Sequence, residues 1–140
     1  MTSKLENEIY SQIHESNHIT LATVEGKQPR LRTMTLMYCK DGYFIASGST
    51  SNKVRQLESN PLVEWILPLK EGENSGYIRA ECHSLFVTDG DLRKRLFNLY
   101  DFIPKLWKGP EDPNLSVIQL IPSRYEYLRP GDWEPVFLPV

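Results

Sequence analysis

Apolar and polar residues alternate over several short runs in the first part of the chain, and turn residues separate these runs. Residues 19–24 and 31–38 are rich in β-prone side chains, and the turn residues at 25–29 predict that the two runs pair as antiparallel strands. Lys40-Asp41-Gly42 predicts a second hairpin, which leads into a strand over residues 43–46. We therefore expect three consecutive strands that form an antiparallel meander.

Three further strands are predicted in the rest of the chain. Residues 62–67 are almost all apolar, which is typical of a buried strand, and residues 77–87 alternate between apolar and polar side chains. Residues 70–76 are predicted to be an exposed loop, and residues 116–128 a last long strand with a bend at Pro122. Because the early connections are too short for parallel crossovers, the expected fold class is mainly β with some α: a six-stranded antiparallel barrel with short flanking helices.

Recurrence of apolar residues at three- to fourfold spacing predicts short helices. These are residues 3–15 with Ser3 as a cap, about two turns around Val54 and Leu57 that end before Pro61, residues 91–100, and residues 102–107 as a continuation. The length of 140 residues predicts one domain over residues 1–140, with the N-terminal helix inside residues 1–17. Residues 129–140 contain three prolines and no periodicity, so they are predicted to be an irregular tail.

Composition excludes several classes of function. The 16 basic and 18 acidic residues give a formal net charge of −2, so there is no broad basic field for nucleic acid. No run approaches the ~20 apolar residues of a membrane span, and the first 18 residues do not resemble a signal peptide. We therefore expect a cytoplasmic protein with no nucleic-acid partner and no membrane partner.

The titratable residues show no pattern of a metal or hydrolytic centre. His14, His18 and His83 are scattered, and Cys39 and Cys82 lack the spacing of a zinc site. The motifs of serine hydrolases and zinc peptidases are absent from the sequence. We therefore expect no metal site, and we assign no catalytic side chain.

The segment Ser47-Gly48-Ser49-Thr50-Ser51-Asn52-Lys53 places hydroxyls, an amide and an ammonium group around the start of a helix. Free backbone N–H groups and the helix dipole favour an anion there, and Lys53 adds a positive charge. The glycine and Lys-Ser/Thr pattern of a nucleoside triphosphate loop is missing. The alternative is that Ser51 only caps the helix while Lys53 and Arg55 are solvated.

Arg32 is the second candidate for an anion site. Strand alternation places it on the same face as Met34 and Leu36, and a guanidinium beside apolar neighbours needs an anionic partner. That partner is either a carboxylate of this chain, Glu64 or Glu81, or a phosphate of a ligand.

Taken together, these segments resemble the FMN-binding split barrels of the pyridoxamine 5'-phosphate oxidase-like family. The resemblance rests on the order and spacing of Pro29-Arg30-Leu31-Arg32-Thr33-Met34, Gly42-Tyr43-Phe44-Ile45-Ala46-Ser47, Ser51-Asn52-Lys53-Val54-Arg55-Gln56-Leu57 and Asn60-Pro61-Leu62-Val63. Trp107 with Pro110-Glu111-Asp112-Pro113, and Pro122 with Glu126-Tyr127, resemble the general stress protein branch of that family.

The resemblance implies a six-stranded split barrel that forms a homodimer and binds FMN in clefts lined by both subunits. It places the FMN phosphate on Arg32 and Lys53, with hydrogen bonds from Ser51 and Asn52. It places Thr33, Met34 and Thr35 along the flavin ring, Ser47 and Gly48 beside the ribityl chain, and Trp107 against the flavin of the other subunit. Trp107 can equally be an ordinary core or interface aromatic.

The implied function is that of an FMN-dependent oxidoreductase acting on a small molecule, with NADH or NADPH as a candidate electron donor. The C-terminal Trp-Arg and Arg-x-His elements with which pyridoxamine phosphate oxidases hold their substrate are missing from the end of the chain, which reads Asp132-Trp133-Glu134-Pro135-Val136-Phe137. Oxidation of vitamin B6 is therefore not expected. The alternatives are a non-catalytic flavin-binding or stress-sensing module, and a split barrel that holds haem or a deazaflavin.

Overall fold

The computed structural model describes residues 3–140, which form seven strands and four short helices. The strands are β1 Ser16–Glu25, β2 Gln28–Cys39, β3 Gly42–Gly48, β4 Leu62–Glu71, β5 Asn74–Phe86, β6 Leu115–Leu128 and β7 Val136–Pro139. The helices are α1 Lys4–Ser11, α2 Asn52–Ser59, α3 Gly90–Leu99 and α4 Phe102–Leu106.

Six of the strands close into an antiparallel barrel. The sheet order is β3-β2-β1-β4-β5-β6, and β3 also pairs with β6 over residues 43–48 and 115–120, which completes the ring. Every pairing is antiparallel, as the short connections predicted. The predicted fold class, a mainly β antiparallel barrel with short flanking helices, is therefore confirmed.

One edge of β6 serves two different neighbours. Its first half pairs with β3, while residues 124–127 pair with β7. On the opposite edge, Cys82 of β5 faces Pro122 and Glu81 faces Arg124, so Ser123 is the extra residue of a β-bulge. The irregularity predicted at Pro122 thus lies where β6 passes from one neighbour to the next, which suits a residue that has no N–H to donate to a sheet.

Three predicted segments differ from the structure. Residues 129–140 are not wholly irregular, because β7 pairs with the free edge of β6, and its four residues are too few to show a periodicity. Residues 70–76 are not a loop but a tight hairpin, in which Gly72 has a φ of +62°. Helix α1 ends at Ser11 rather than near residue 15, although its predicted cap, Ser3, accepts from the backbone N–H of Glu6 at 3.1 Å.

The core lies in two layers. Inside the barrel, Trp65 and Tyr125 are almost fully buried, and the Tyr125 hydroxyl donates to the Tyr43 hydroxyl at 2.8 Å. A second cluster lies between β3, β6 and the helices α3 and α4, where Phe44 and Ile103 are fully buried. Within residues 3–140, no helix has the length and hydropathy needed to cross a membrane.

Gly76 marks a close approach of two backbone segments, and we expect Gly76→Ala to destabilise the barrel. A Cβ at Gly76 would lie 2.1 Å from the carbonyl oxygen of Leu128 and 2.8 Å from the nitrogen of Pro130. Because both atoms belong to the backbone, β5 or the end of β6 must shift, at a cost of about 1–3 kcal/mol. Urea unfolding of the two proteins measures this loss.

Gly90→Ala is the matched control, because a Cβ at this first residue of α3 meets nothing within 4 Å. We expect the control to leave the unfolding midpoint unchanged or to raise it slightly, since alanine favours a helix. Equal midpoints for Gly76→Ala and the unaltered protein would contradict the close approach.

Candidate anion-binding site

Two cationic side chains from different elements meet beside one cavity. Arg32 of β2 lies opposite Leu21 of β1, so its side chain is on the inner face of the sheet. Lys53 lies in the first turn of α2, which follows directly after β3 and packs against β1. The helix begins where predicted, because Ser51 occupies the N-cap and accepts from the backbone N–H of Val54 at 3.4 Å.

The Arg32 guanidinium is hydrogen-bonded only to neutral acceptors. It donates to Thr23 Oγ1 at 2.8 Å, to Gln56 Oε1 at 3.0 Å, and to the carbonyl oxygens of Leu21 and Arg30, each at 3.3 Å. Within residues 3–140 it forms no ion pair with a carboxylate.

The predicted alternative of an ion pair between Arg32 and Glu64 or Glu81 is therefore wrong. Glu64 lies opposite Ala22 and Glu81 lies opposite Glu64, which places both carboxylates on the outer face of the sheet. There Glu64 pairs with Arg79 at 3.4 Å and Glu81 pairs with Arg124 at 3.6 Å.

Lys53 is also held by a neutral group. Its Nζ donates to Ser47 Oγ at 2.8 Å, and Ser47 Oγ lies 3.0 Å from Ser51 Oγ. Lys53 is half-buried and Ser47 is buried, so the alternative in which Lys53 is simply solvated is wrong, whereas Arg55 is exposed as that alternative expected. In the described part of the chain, Lys53 too lacks a carboxylate partner.

The two charges are unfavourable in the free protein. Burial lowers the pKa of Lys53, and the nearby charge of Arg32 lowers it further. Burial also lowers the pKa of Arg32, although a guanidinium remains protonated at neutral pH. Two neighbouring, partly desolvated cations without a counter-ion form a site that an anion would stabilise.

A cavity of about 460 Å³ opens beside these side chains. Its lining residues are Glu25, Arg30, Leu31, Arg32, Asn52, Lys53 and Gln56. At the rim, Arg30 donates to Glu25 at 2.8 Å, so this outer carboxylate is already paired. The cavity therefore combines space for a ligand with an excess of positive charge.

Of the other predicted site residues Asn52 lines this cavity, whereas the lining does not include Thr33, Met34, Thr35, Ser47, Gly48 or Ser51. Gly48 ends β3 next to Ser47, and Asn52 is exposed at the cavity, where its side-chain oxygen accepts from Arg55. Thr33, Met34 and Thr35 follow Arg32 along β2, with Met34 packed against the barrel core and Thr33 exposed on the opposite face.

Trp107 does not line this cavity. It packs half-buried against the second core cluster, and its Nε1 donates to the carbonyl oxygen of Asn114 at 3.0 Å. Within one chain, the surroundings of Trp107 are therefore those of a packing residue.

Two site residues were missed from the sequence. Thr23 is 1% exposed and Gln56 is 7% exposed, and both hydrogen-bond to Arg32. A signal existed for each of them. Thr23 continues the inward alternation of Ile19 and Leu21, and Gln56 follows Lys53 by three residues, which places both on one face of α2.

The histidines do not form an alternative centre. His14, His18 and His83 are exposed, and no group of three or more metal-ligating side chains gathers anywhere in residues 3–140.

Comparison with known proteins gives concordant matches. The family model described as pyridoxamine 5'-phosphate oxidase matches residues 5–129. General stress protein 26 of Bacillus subtilis (strain 168) is 23% identical over 120 residues, which cover 85% of this chain and 84% of that protein.

Solved structures share the fold. That of General Stress Protein 26 from Bacillus anthracis str. Sterne has a TM-score of 0.79 at 23% identity and covers 99% of this chain and 100% of that one. HutZ, the haem storage protein from Vibrio cholerae, has a TM-score of 0.63 at 18% identity and covers 87% of this chain and 91% of its own.

Phosphate binding at this site should weaken at alkaline pH, because Lys53 loses its proton below the ordinary lysine pKa of 10.5. Once inorganic phosphate is fully dianionic, above about pH 8, we expect its stabilising effect on the fold to decrease as the pH rises through the lowered pKa of Lys53. Thermal unfolding with phosphate, compared with chloride at equal ionic strength, measures the effect.

Lys53→Arg is the informative variant, since a guanidinium stays charged throughout this range. It should extend phosphate stabilisation to higher pH. If phosphate gave the unaltered protein no extra stability at any pH, or the same extra stability up to pH 10.5, the assignment of Lys53 to the site would be wrong.

Proposed function

Because the chain belongs to the pyridoxamine 5'-phosphate oxidase family, we propose that it is a flavoprotein that binds the phosphate of FMN at Arg32 and Lys53. One observation carries the proposal: in the described chain these two half-buried cations have only neutral partners beside one cavity. A phosphate monoester supplies the missing negative charge and several acceptor oxygens.

The polar groups present fit a phosphate. Arg32 offers a planar fork and Lys53 a mobile ammonium, while Ser51 and Asn52 add a hydroxyl and an amide at the start of α2. The first backbone N–H groups of α2 also favour an anion at this end of the helix. We therefore assign phosphate binding to Arg32, Ser51, Asn52 and Lys53.

The rest of the cofactor is assigned to the strands that lead away from the phosphate. Thr33, Met34 and Thr35 extend about 10 Å along β2 from Arg32, and we propose that their backbone lines the flavin ring. We assign Ser47 and Gly48 to the ribityl chain, and Trp107 to the flavin of the other subunit. FMN, when bound, supplies the capacity for hydride or electron transfer, so these residues need only bind and orient it.

We further propose that the protein is an FMN-dependent oxidoreductase acting on a small molecule in the cytoplasm. Oxidation of pyridoxamine 5'-phosphate is not part of the proposal. A non-catalytic flavin-binding module is the competing function.

We expect the purified protein to be yellow, and the double variant Arg32→Ala/Lys53→Ala to be colourless but folded. Charge-assisted hydrogen bonds contribute about 1.5–3 kcal/mol each, so loss of both cations should weaken FMN binding by a factor on the order of 10² to 10⁴. Absorbance spectra and fluorescence titration with FMN measure the loss.

Lys94→Ala/Lys105→Ala removes the same net charge from exposed positions of α3 and α4 and should stay yellow. Stoichiometric FMN in the Arg32→Ala/Lys53→Ala protein would remove the site assignment.

Haem is the second candidate ligand, because a protein with this fold, HutZ, is a haem storage protein. Mass spectrometry of the ligand extracted from native protein separates the two candidates. Recovery of FMN supports the flavoprotein proposal, and recovery of haem or a deazaflavin replaces it.

Flavin reduction distinguishes the enzyme from the storage or sensing module. We expect NADH or NADPH to bleach the bound flavin rapidly and with saturation kinetics in stopped-flow measurements. Riboflavin, which lacks the phosphate, is the matched control and should bind too weakly to be reduced in this way. Bleaching by dithionite alone would instead support a non-catalytic binder.

We also propose a homodimer in which the outer sheet face is the subunit interface. Leu31 and Leu62 are 70% and 62% exposed on this face, which is costly in an isolated chain. Analytical ultracentrifugation should therefore report a dimer at micromolar concentration. Leu31→Glu should yield folded monomer, whereas Leu106→Glu, at an equally exposed position of α4, should not change the mass. A monomeric unaltered protein would contradict the proposal.

A further inference from the structure

Gln56 is a buried amide at the centre of the candidate phosphate site. Its Oε1 accepts from Thr23 Oγ1 at 2.5 Å and from Arg32 Nη2 at 3.0 Å, and only 7% of the residue is exposed. Its side chain thereby bonds to residues of both β1 and β2. Together with Thr23 Oγ1 and two backbone carbonyl oxygens, this amide oxygen holds the Arg32 guanidinium in place.

The nitrogen of the Gln56 amide also has a partner, and this partner orients the amide. Gln56 Nε2 faces Glu25 Oε2 at 3.5 Å, and Glu25 is held at the rim by Arg30. The Arg30 guanidinium lowers the pKa of Glu25, which keeps that carboxylate ionised and able to accept. With its N–H groups directed to Glu25, the amide presents its oxygen to Arg32.

We propose that Gln56 is a positioning residue that keeps the phosphate site cationic: it holds the Arg32 guanidinium with a neutral oxygen, in the place where a carboxylate would cancel its charge. This inference rests on the proposed function, because it concerns the same phosphate site.

The chemistry of the alternatives explains why a glutamine is needed. A glutamate would form a charge-assisted pair with Arg32 and compete with the ligand phosphate for the guanidinium. An apolar residue would leave Thr23 and Arg32 with one bond fewer in a buried position. The carboxylate of Glu25 is close enough to orient the amide, but within residues 3–140 it pairs with Arg30 and not with Arg32.

One turn of helix α2 therefore carries two residues with complementary roles in the site. Lys53 and Gln56 lie three residues apart on the same face, so one contributes charge and the other preserves the charge of Arg32. The charged groups that surround Gln56 are Glu25 and Arg30 at the β1–β2 turn, Arg32 on β2, and Lys53 and Arg55 on α2.

The test is Gln56→Glu, which keeps the shape of the side chain and adds one carboxyl group. We expect FMN to bind this variant about tenfold or more weakly than the unaltered protein at about pH 8, where the introduced carboxyl is ionised. At about pH 5, with FMN bound, the carboxyl takes up a proton beside the phosphate, and the ratio of the two dissociation constants should fall to about threefold or less.

Two controls separate charge from shape. Gln56→Met removes the acceptor without adding charge, and should weaken FMN binding about threefold with no dependence on pH relative to the unaltered protein. Gln28→Glu adds the same charge at an exposed position at the start of β2 and should bind FMN within about twofold of the unaltered protein.

The possible results distinguish failure of the proposed function from failure of the role assigned to Gln56. If the unaltered protein does not bind FMN, the proposed function fails first. If it binds FMN but Gln56→Glu binds equally well, or loses affinity by the same factor at both pH values, Gln56 does not protect the charge of Arg32. If Gln56→Glu does not fold, unchanged affinity in Gln56→Met overturns the positioning role.

Discussion

The docking of α2 against β1 is the contact on which the candidate site depends. Val54 and Leu57 of this helix are buried in the barrel core, and Gln56 accepts from Thr23 of β1 at 2.5 Å. Lys53, on the same helix, thereby faces Arg32, which comes from a strand some twenty residues earlier. Without the helix in this place, the two cations would belong to separate surfaces. The apolar burial of α2 thus holds together charges that repel each other.

Closure of the barrel supports that arrangement from the opposite side. The end of β3 pairs with the beginning of β6, and beyond the pairing Ser49 Oγ lies 2.9 Å from Ser116 Oγ. The segment that leads into α2 is therefore fixed at both ends, by β6 before the helix and by the core along it. Because this segment is fixed, the hydroxyl, amide and ammonium groups at the N-terminus of α2 lose little conformational entropy when an anion binds.

Local pattern was sufficient to predict most elements, and it pointed to Arg32 and Lys53, the two cations that the structure brings to one cavity. Alternation predicted the strands, and the cap at Ser51 predicted the start of α2. The predictions that were wrong or missing required knowledge of the strand order. Because β1 lies between β2 and β4, Glu64 projects from the face opposite to Arg32, and no count of residues along the chain reveals this. Thr23 and Gln56 were missed because polar side chains are usually exposed, although the alternation along β1 and the spacing from Lys53 along α2 place both on the inner side. Strand β7 was missed because its partner, the free edge of β6, exists only beyond Leu120, where the pairing with β3 ends.

Pro122 divides one edge of β6 into two segments, and each segment holds a different part of the structure. The cylinder is closed by the segment before the proline, whereas the C-terminal strand attaches only to the segment after it. Changes in the last dozen residues, including the almost fully exposed Trp133, therefore leave the β3–β6 pairing that closes the cylinder intact. A terminus attached in this way would let the barrel acquire different surfaces while the residues of the candidate site stay the same.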